Sequence, residues 1–478
     1  MLRSLVLFCA LLLPLPALAD GFTHLAGLVE RGFAVGAEAR LLGDGAAPGE
    51  SLGAIEPRRQ LSPASVSKAY LAAAALSEWG PQHRFTTRLV TPGRVDREGV
   101  LDGDLILEGS GDPGLVAEDL WKLVQGLRQR GVTAIRGDVL VSQWRFGPVA
   151  CVTTDRCQAR RRAANAYSAQ LSAAGVNHGS WCLSIRPGAV GEPARALSCD
   201  TAEPLLPLDN AIDTVAAGSG TEFSVERAGE AGSEQLILRG RIAADAAPRN
   251  VHRASADPAW QTAQTLGALL IQAGITVEGA PRVTREPPPV EVATLSAVDG
   301  RSLQELLLGV MHYSNNYMAD VLTLGLAEGS QDLPAAGAAL AGFAEALPNH
   351  GPLTLDSGSG LTTTNRTTAA GVNVLLEHMY RQPALFPAFV AGLQSPATGV
   401  MRFIRRGGDT FQHHVMLKTG TLNQPFAVRA AAGYFRTASG RWGVFSVLVN
   451  GNGTTPYLSW PEVLDPLARD LEAMIQSR

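Results

Sequence analysis

Lysine occurs at only three positions in this chain of 478 residues, 68, 122 and 418, although lysine and arginine together number 40. Where a surface charge suffices the chain uses arginine, so a lysine marks a place that needs an amine, which can shed its proton near neutral pH. Lys68 stands in "SVSKAYLAAAAL", three positions after Ser65 and one helical turn away on the same face. A helix apolar nearly all round is a buried helix, and burial disfavours the ammonium, lowering a lysine pKa toward neutrality. A neutral amine beside a hydroxyl can act as general base for a serine nucleophile, with the helix N-terminus stabilising negative charge nearby. The bland alternative is a lysine whose stem follows a buried helix end while its head reaches water. Ser-x-x-Lys by itself is a weak pattern.

Lys418 opens a second pattern, "LKTGTL", inside an alternating strand. A glycine in a strand interior, here Gly420, lets another backbone or a ligand approach closely. Lys418, Thr419 and Thr421 would then present an ammonium and two hydroxyls to a substrate carboxylate; the alternative is a bulge. The third pattern is "YSNNYMAD", where Ser314, Asn315 and Asn316 sit between two helical stretches, a place where polar residues usually cap a helix. Ser-x-x-Lys, Ser-x-Asn and Lys-Thr-Gly, in this order, form the set used for acyl transfer by penicillin-binding proteins and serine β-lactamases. Other candidates weigh less. His413 and His414 are adjacent on an expected strand and point to opposite faces, which disfavours joint metal ligation. Lys122 reads as a solvated charge on an amphipathic helix, and Asp112 and Asp356 as turn residues that bond local backbone.

The elements that must position these residues follow from periodicity. A strand ("FAVGAEARLL") precedes the helix that starts at Ser65 and runs to about Trp79, and residues 84–109 alternate as strands around "TPGRVDREG". The helix "EDLWKLVQGLRQR", with Leu120, Trp121, Val124 and Leu127 expected on one face, leads into the strand "DVLVSQ". A similar unit recurs in "WQTAQTLGALLIQA" followed by "GITVEG", so one α+β domain is interrupted in its middle. The interruption, about 183–245, carries short strands and no convincing helix. The proline run "REPPPVE" marks a return linker, after which come helices, the loop "LDSGSGLTTTNR", paired strands from Val415 to Asn450, and a C-terminal helix from Pro461.

The first residues, "MLRSLVLFCALLLPLPALAD", fit a signal peptide at 1–19, with cleavage after Ala19, and Cys9 follows Phe8 rather than the small residue that lipid attachment needs. No later segment offers about 18 uninterrupted apolar residues, so no transmembrane anchor is expected in the mature chain. In an exported protein Cys151, Cys157, Cys182 and Cys199 are disulfide candidates. Of three possible pairings the sequence-local one, Cys151 with Cys157 and Cys182 with Cys199, is expected; the loose spacing without CxxC disfavours a zinc site. A net charge of −4 without a basic cluster argues against nucleic acid as a partner.

The three motifs, with "SPASVSK", "GDVLV", "YSAQLSAAGVNHGSWCLSIRPG", "LDSGSGL" and "AGYFRTASGRWGVFSVLVNG", resemble the class C low-molecular-mass penicillin-binding proteins, the D-alanyl-D-alanine carboxypeptidase/endopeptidase family. The resemblance covers essentially the whole mature chain. It implies a multidomain α/β (α+β) fold with a β-lactamase/transpeptidase-like catalytic domain, an antiparallel sheet flanked by helices, split over residues 20–88 and 292–478. An inserted α+β domain would take 89–182 and 246–291, with a small β subdomain at 183–245 nested in it. It further implies Ser65 as nucleophile, Lys68 as its base, and Ser314 and Lys418 as a proton relay. Asn316 would hold the substrate amide, Thr419, Gly420 and Thr421 would bind substrate, and the backbone N–H groups of Ser65 and Thr421 would form the oxyanion hole. Peptidoglycan stem peptides and β-lactams are the implied partners, the periplasm the implied compartment, and no metal or cofactor is implied. Two positions depart from the family pattern: Ser142 stands where an aspartate is frequent and Thr363 where an arginine is frequent. Both bear on recognition of the charged end of the stem peptide, and Arg145 or Arg366 could substitute.

Overall fold

The computed structural model describes residues 21–43, 49–201, 203–327 and 330–478; the expected signal peptide lies outside them. Three strands near the C-terminus, Val415–Leu422, Val428–Arg436 and Trp442–Asn450, pair antiparallel in sequence order. Trp442–Asn450 then pairs with Ala34–Leu41 from the other end of the chain, which pairs with Ser51–Ile55. Strand Val428–Arg436 is buried at every position but the last, as befits a strand covered on both faces. Its side chains alternate between two cores: Ala430, Ala432 and Tyr434 meet a layer of helices, while Ala431 and Phe435 meet the C-terminal helix Trp460–Gln476.

The helical layer comprises Ser67–Trp79, Leu303–His312, Asn316–Leu326, Leu333–Glu345 and Ala369–Tyr380. At its centre Ser67–Trp79 is buried from Ser67 to Leu76. Its alanines let neighbouring helices and the sheet close in on every side, which explains why so short an apolar helix has no polar face. Ser65 does not lie in the helix proper. It occupies a 3₁₀ turn, Ala64–Val66, that leads into it.

The inserted region is built on a second five-stranded sheet in the order Pro281–Thr284, Val139–Ser142, Leu105–Glu108, Arg84–Thr91 and Ala293–Ser302. Helices Ala117–Gln129 and Pro258–Gln272 pack on it. Strand Arg84–Thr91 pairs with Ala293–Ser302 within this sheet, so the boundary drawn at 88 and 89 falls inside a strand. Ser180–Arg186 pairs with Arg249–Ala254, and the strands Leu208–Val215, Gln235–Ala243 and Glu222–Ala228 lie side by side beyond them. That β region therefore reaches outside 183–245. Turn residues mark loops, but pairing between strands some 200 positions apart leaves no local mark.

Two further expectations are corrected. Leu120, Leu123, Val124 and Leu127 form the buried face of their helix, while Trp121 is 54% exposed: Leu123, one turn from Leu120, takes the place assigned to it. His413 and His414 end a short helix, Asp409–His414, instead of lying on a strand, because the strand begins only at Val415. Cys151–Cys157 and Cys182–Cys199 are disulfide-bonded, the sequence-local pairing. Among the described residues no helix is long and apolar enough to cross a membrane.

Candidate active site

The turn that carries Ser65 is held from three sides. Asn450, at the end of a sheet strand, accepts from the Ser62 N–H at 2.8 Å and donates to the Ser62 carbonyl at 3.0 Å. Strand Val415–Leu422 lies against the turn so closely that a Cβ on Gly420 would stand 2.4 Å from the Pro63 carbonyl oxygen and 2.9 Å from the Ser65 nitrogen. From the third side comes Gly360, where a Cβ would meet the Ala64 carbonyl oxygen at 1.9 Å. Ala64 has φ +44° and Ser314 φ +55°. Left-handed backbone at non-glycine residues costs about 1–3 kcal/mol each and persists where the surroundings impose it, commonly at functional sites.

Lys68 is fully buried. Its Nζ lies 3.0 Å from Ser65 Oγ, and it donates to Asn316 Oδ1 at 2.8 Å and to the Ser359 carbonyl at 2.6 Å. A neutral amine has two N–H groups and one lone pair. With both hydrogens given to Asn316 and Ser359, the lone pair is left for the Ser65 hydroxyl. Burial holds the Lys68 pKa well below the usual lysine range, and the positive charges of Lys418 and Arg156 act in the same direction against the opposing pull of Asp320. Lys418 Nζ donates to Ser314 Oγ at 3.0 Å and to the Thr419 carbonyl at 2.8 Å. Burial brings its pKa down to about 7. Asn315 caps the helix Asn316–Leu326, its Oδ1 accepting from the Met318 N–H at 3.0 Å, so Ser314 and Asn316 are left to face the two lysines.

The three motifs thus meet in one place. Ser65, Lys68 and Asn316 form one hydrogen-bonded group and Ser314 with Lys418 a second, the two joined only through the chain from Ser314 to Asn316. Thr421, on the end strand of the sheet, accepts from Trp460 Nε1 at 3.2 Å, which leaves its hydroxyl proton for an anion. Thr419 is nearly buried, and Gly420 contributes close approach rather than a side-chain contact. A cleft of about 470 Å³ opens beside Ser314 and Asn316 and is walled from the insertion by Tyr167, His178 and His252. Three larger cavities, about 1170, 810 and 660 Å³, contain none of the motif residues.

Ser142 and Arg145, one of its possible substitutes, lie away from this cleft. Ser142 is fully buried and donates to the Glu286 carbonyl at 2.7 Å, so it does not reach the cleft. Arg145 stacks on Trp144 with 5.2 Å to the ring centroid in the cavity by Trp79 and Phe85, at the opposite end of the nucleophile's helix. Arg366 donates to the carbonyl of Asn365 at 3.1 Å. Lys122 is an exposed partner of Asp119 at 2.8 Å. Asp112 closes a turn by accepting from the Gly114 N–H at 2.8 Å. Residues without a motif also belong to the site: the Ser359 carbonyl, the Tyr167 carbonyl that accepts from Asn316 Nδ2 at 3.2 Å, and the buried pair Arg156–Asp320 at 2.6 Å. The "LDSGSGL" stretch pointed toward the first; nothing local joins Arg156 to Asp320.

A buried Ser-x-x-Lys at the head of a central helix, a Ser-x-Asn turn, and a Lys-Thr-Gly end strand define a serine acyl-transfer site of the penicillin-binding type. The fold agrees. Penicillin binding protein 4 (dacB) from Haemophilus influenzae superposes with TM-score 0.73 at 18% identity, over 95% of this chain and 99% of that one. Its complex with a β-lactam gives 0.70 at 19% identity over the same shares. Bd3459, a predatory peptidoglycan endopeptidase from Bdellovibrio bacteriovorus, gives 0.52 at 14% identity over 93% and 92%. In sequence the chain is 33% identical over 423 residues to a D-alanyl-D-alanine carboxypeptidase of Actinomadura sp. (strain R39), spanning 85% of this chain and 76% of that protein. The chain belongs to the D-Ala-D-Ala carboxypeptidase 3 (S13) family, which it matches over residues 46–469. It is a serine peptidase, a hydrolase of that family.

Proposed function

We propose that the protein acts in the periplasm on peptidoglycan stem peptides, hydrolysing D-alanyl-D-alanine and related cross-link bonds through an acyl-serine at Ser65. Lys68 takes the Ser65 proton as Oγ attacks the carbonyl carbon. The Ser65 and Thr421 backbone N–H groups receive the oxyanion, an arrangement in which one donor contributes about 3–4 kcal/mol. As the tetrahedral species collapses the C–N bond breaks, and Ser314 passes a proton to the leaving amine, replenished through Lys418. Asn316 orients the substrate amide, and Thr419 and Thr421 receive the terminal carboxylate. Water then attacks the ester carbonyl, giving a proton to the depleted Ser314–Lys418 relay; the bond from the acyl carbon to Ser65 Oγ breaks and Ser65 regains its proton from Lys68. The observation that carries this reading is the fully buried Lys68 amine, 3.0 Å from Ser65 Oγ and with neutral oxygens as its acceptors. Two disulfides fit an oxidising compartment, and a β-lactam complex of a protein with the same fold fits acylation by such drugs.

The test is to incubate the mature protein with a stem pentapeptide and with cross-linked muropeptides, following D-alanine release and cross-link cleavage. Ser65→Ala is the control. Turnover of either substrate that disappears in Ser65→Ala is the expected result. Stable penicillin acylation without turnover would overturn the peptidase reading and leave a penicillin-binding sensor.

A further inference from the structure

We propose that Arg156, on the inserted part of the chain, is a positioning residue for Lys68, acting through the Asp320 carboxylate and the Ser359 backbone. This rests on the reading of Lys68 as the base. Arg156 sits in the six-residue helix Thr154–Ala159, too short to be stable alone. Four ties hold the helix in place. Cys157 is bonded to Cys151, Thr153 Oγ1 accepts from the Arg156 N–H at 3.4 Å, Gln170 Nε2 donates to the Arg156 carbonyl at 2.6 Å, and Arg156 Nε donates to the Ala169 carbonyl at 3.1 Å.

The guanidinium reaches out of the insertion into the catalytic domain. Nη1 donates to Asp320 Oδ2 at 2.6 Å and Nη2 to the Asn316 carbonyl at 3.4 Å. Asp320 is fully buried, and its other oxygen accepts from the Ser359 N–H at 2.8 Å. Ser359 and Asn316 are the two groups that accept the Lys68 hydrogens. One ion pair therefore fixes both acceptors that aim the Lys68 lone pair at Ser65. It also fixes the charge around the amine. The ionised groups that bear on Lys68 are Lys418 on the sheet, Asp320 on the helix Asn316–Leu326, and Arg156 from the insertion. With Arg156 and Asp320 paired, their effects on Lys68 oppose one another, and removing either leaves the other uncompensated.

The test uses the mature full-length chain and measures the second-order rate of acylation by a fluorescent penicillin from pH 5 to 10. Variants are Arg156→Met, Arg156→Lys, Asp320→Asn and the double variant Arg156→Met/Asp320→Asn, with circular dichroism as the check on folding. Arg156→Met leaves the Asp320 charge facing Lys68. Its rate should fall at least about tenfold at pH 7, and its acidic limb should move up by about one pH unit. Asp320→Asn leaves the Arg156 charge and moves the limb down. The double variant brings it back toward wild type, and Arg156→Lys, which keeps the charge and so guards against a folding failure in the methionine variant, holds the wild-type limb. A merely structural ion pair would lower the rate in both single variants with the limb unmoved, and that result overturns the proposal. If Ser65→Ala still forms the penicillin adduct, or Lys68→Met acylates at the wild-type rate, the underlying reading of the site is what fails.

Discussion

Replacing Lys68 with methionine tests the base directly. Methionine is close to lysine in length and carries no amine, so the buried helix keeps its packing while Ser65 loses the group 3.0 Å away. General-base assistance is worth about 10²–10⁴ in rate, or about 3–5 kcal/mol of barrier. The stability balance has opposing parts. Asn316 Oδ1 and the Ser359 carbonyl each lose a donor, at about 1–3 kcal/mol per orphaned acceptor. Against this, the variant no longer buries an amine whose lowered pKa records the penalty of desolvation. The expected outcome is a folded protein whose acylation by a fluorescent penicillin at pH 8, followed by stopped flow, is slower by at least about 10². Lys68→Arg should lose as much, because a guanidinium keeps its proton. Acylation within about fivefold of wild type, a barrier change of only about 1 kcal/mol, in a folded Lys68→Met protein would refute the base and with it the inference from burial.

Other perturbations probe the frame. Gly420→Ala should cut acylation about tenfold to a hundredfold, since the new methyl would meet the Pro63 carbonyl oxygen at 2.4 Å and push the strand off the Ser65 turn; peptidase and penicillin assays both read this. Lys418 gives a pH dependence of stability. In the unfolded chain it holds its proton up to its ordinary 10.5, but folded it releases it above about 7, so folding sheds a proton between these values and is favoured by rising pH. Lys418→Met should flatten the rise in denaturation midpoint between pH 7 and 10. Cys182→Ser/Cys199→Ser opens a loop of sequence separation 17 and should destabilise the β region by about 3 kcal/mol, with the penicillin acylation rate at Ser65 unchanged.

What could be read from the sequence divides by distance along the chain. The helix Ser67–Trp79, the Asn315 cap and the strand Val415–Leu422 each have a local cause, a buried alanine run, a capping side chain or a period of two, and each lies within a few residues of its expected place. The motif residues were equally legible, because chemistry confines them to a fixed order and short spacing. Strand pairs such as Arg84–Thr91 with Ala293–Ser302 are held by backbone bonds that almost any side chain allows. The Arg156–Asp320 pair was hidden for the same reason: its partners stand 164 positions apart, and an Arg and an Asp in isolation are ordinary surface residues.

The use of lysine and arginine supplies the physical link between composition and site. Among the described residues three arginines are buried, Arg156, Arg227 and Arg429. Arg156 is paired with Asp320, Arg227 lies 3.4 Å from Glu234, and Arg429 lies over the rings of Tyr457 and Trp460. Each permanent charge has a carboxylate or an aromatic face to offset its removal from water. The two buried lysines have no such offset within hydrogen-bond reach: Lys68 touches a hydroxyl, an amide and a peptide oxygen, and Lys418 a hydroxyl and a peptide oxygen. An arginine in either place would be an uncompensated buried cation, whereas a lysine escapes the penalty by releasing its proton. At Lys68 that release leaves a lone pair beside Ser65, while Lys418, with its pKa brought down to about 7, can hold a proton and pass it to Ser314. The same desolvation that makes lysine tolerable at these positions therefore makes it reactive, and Lys122, the one lysine in water, is paired with Asp119 and has no part in it.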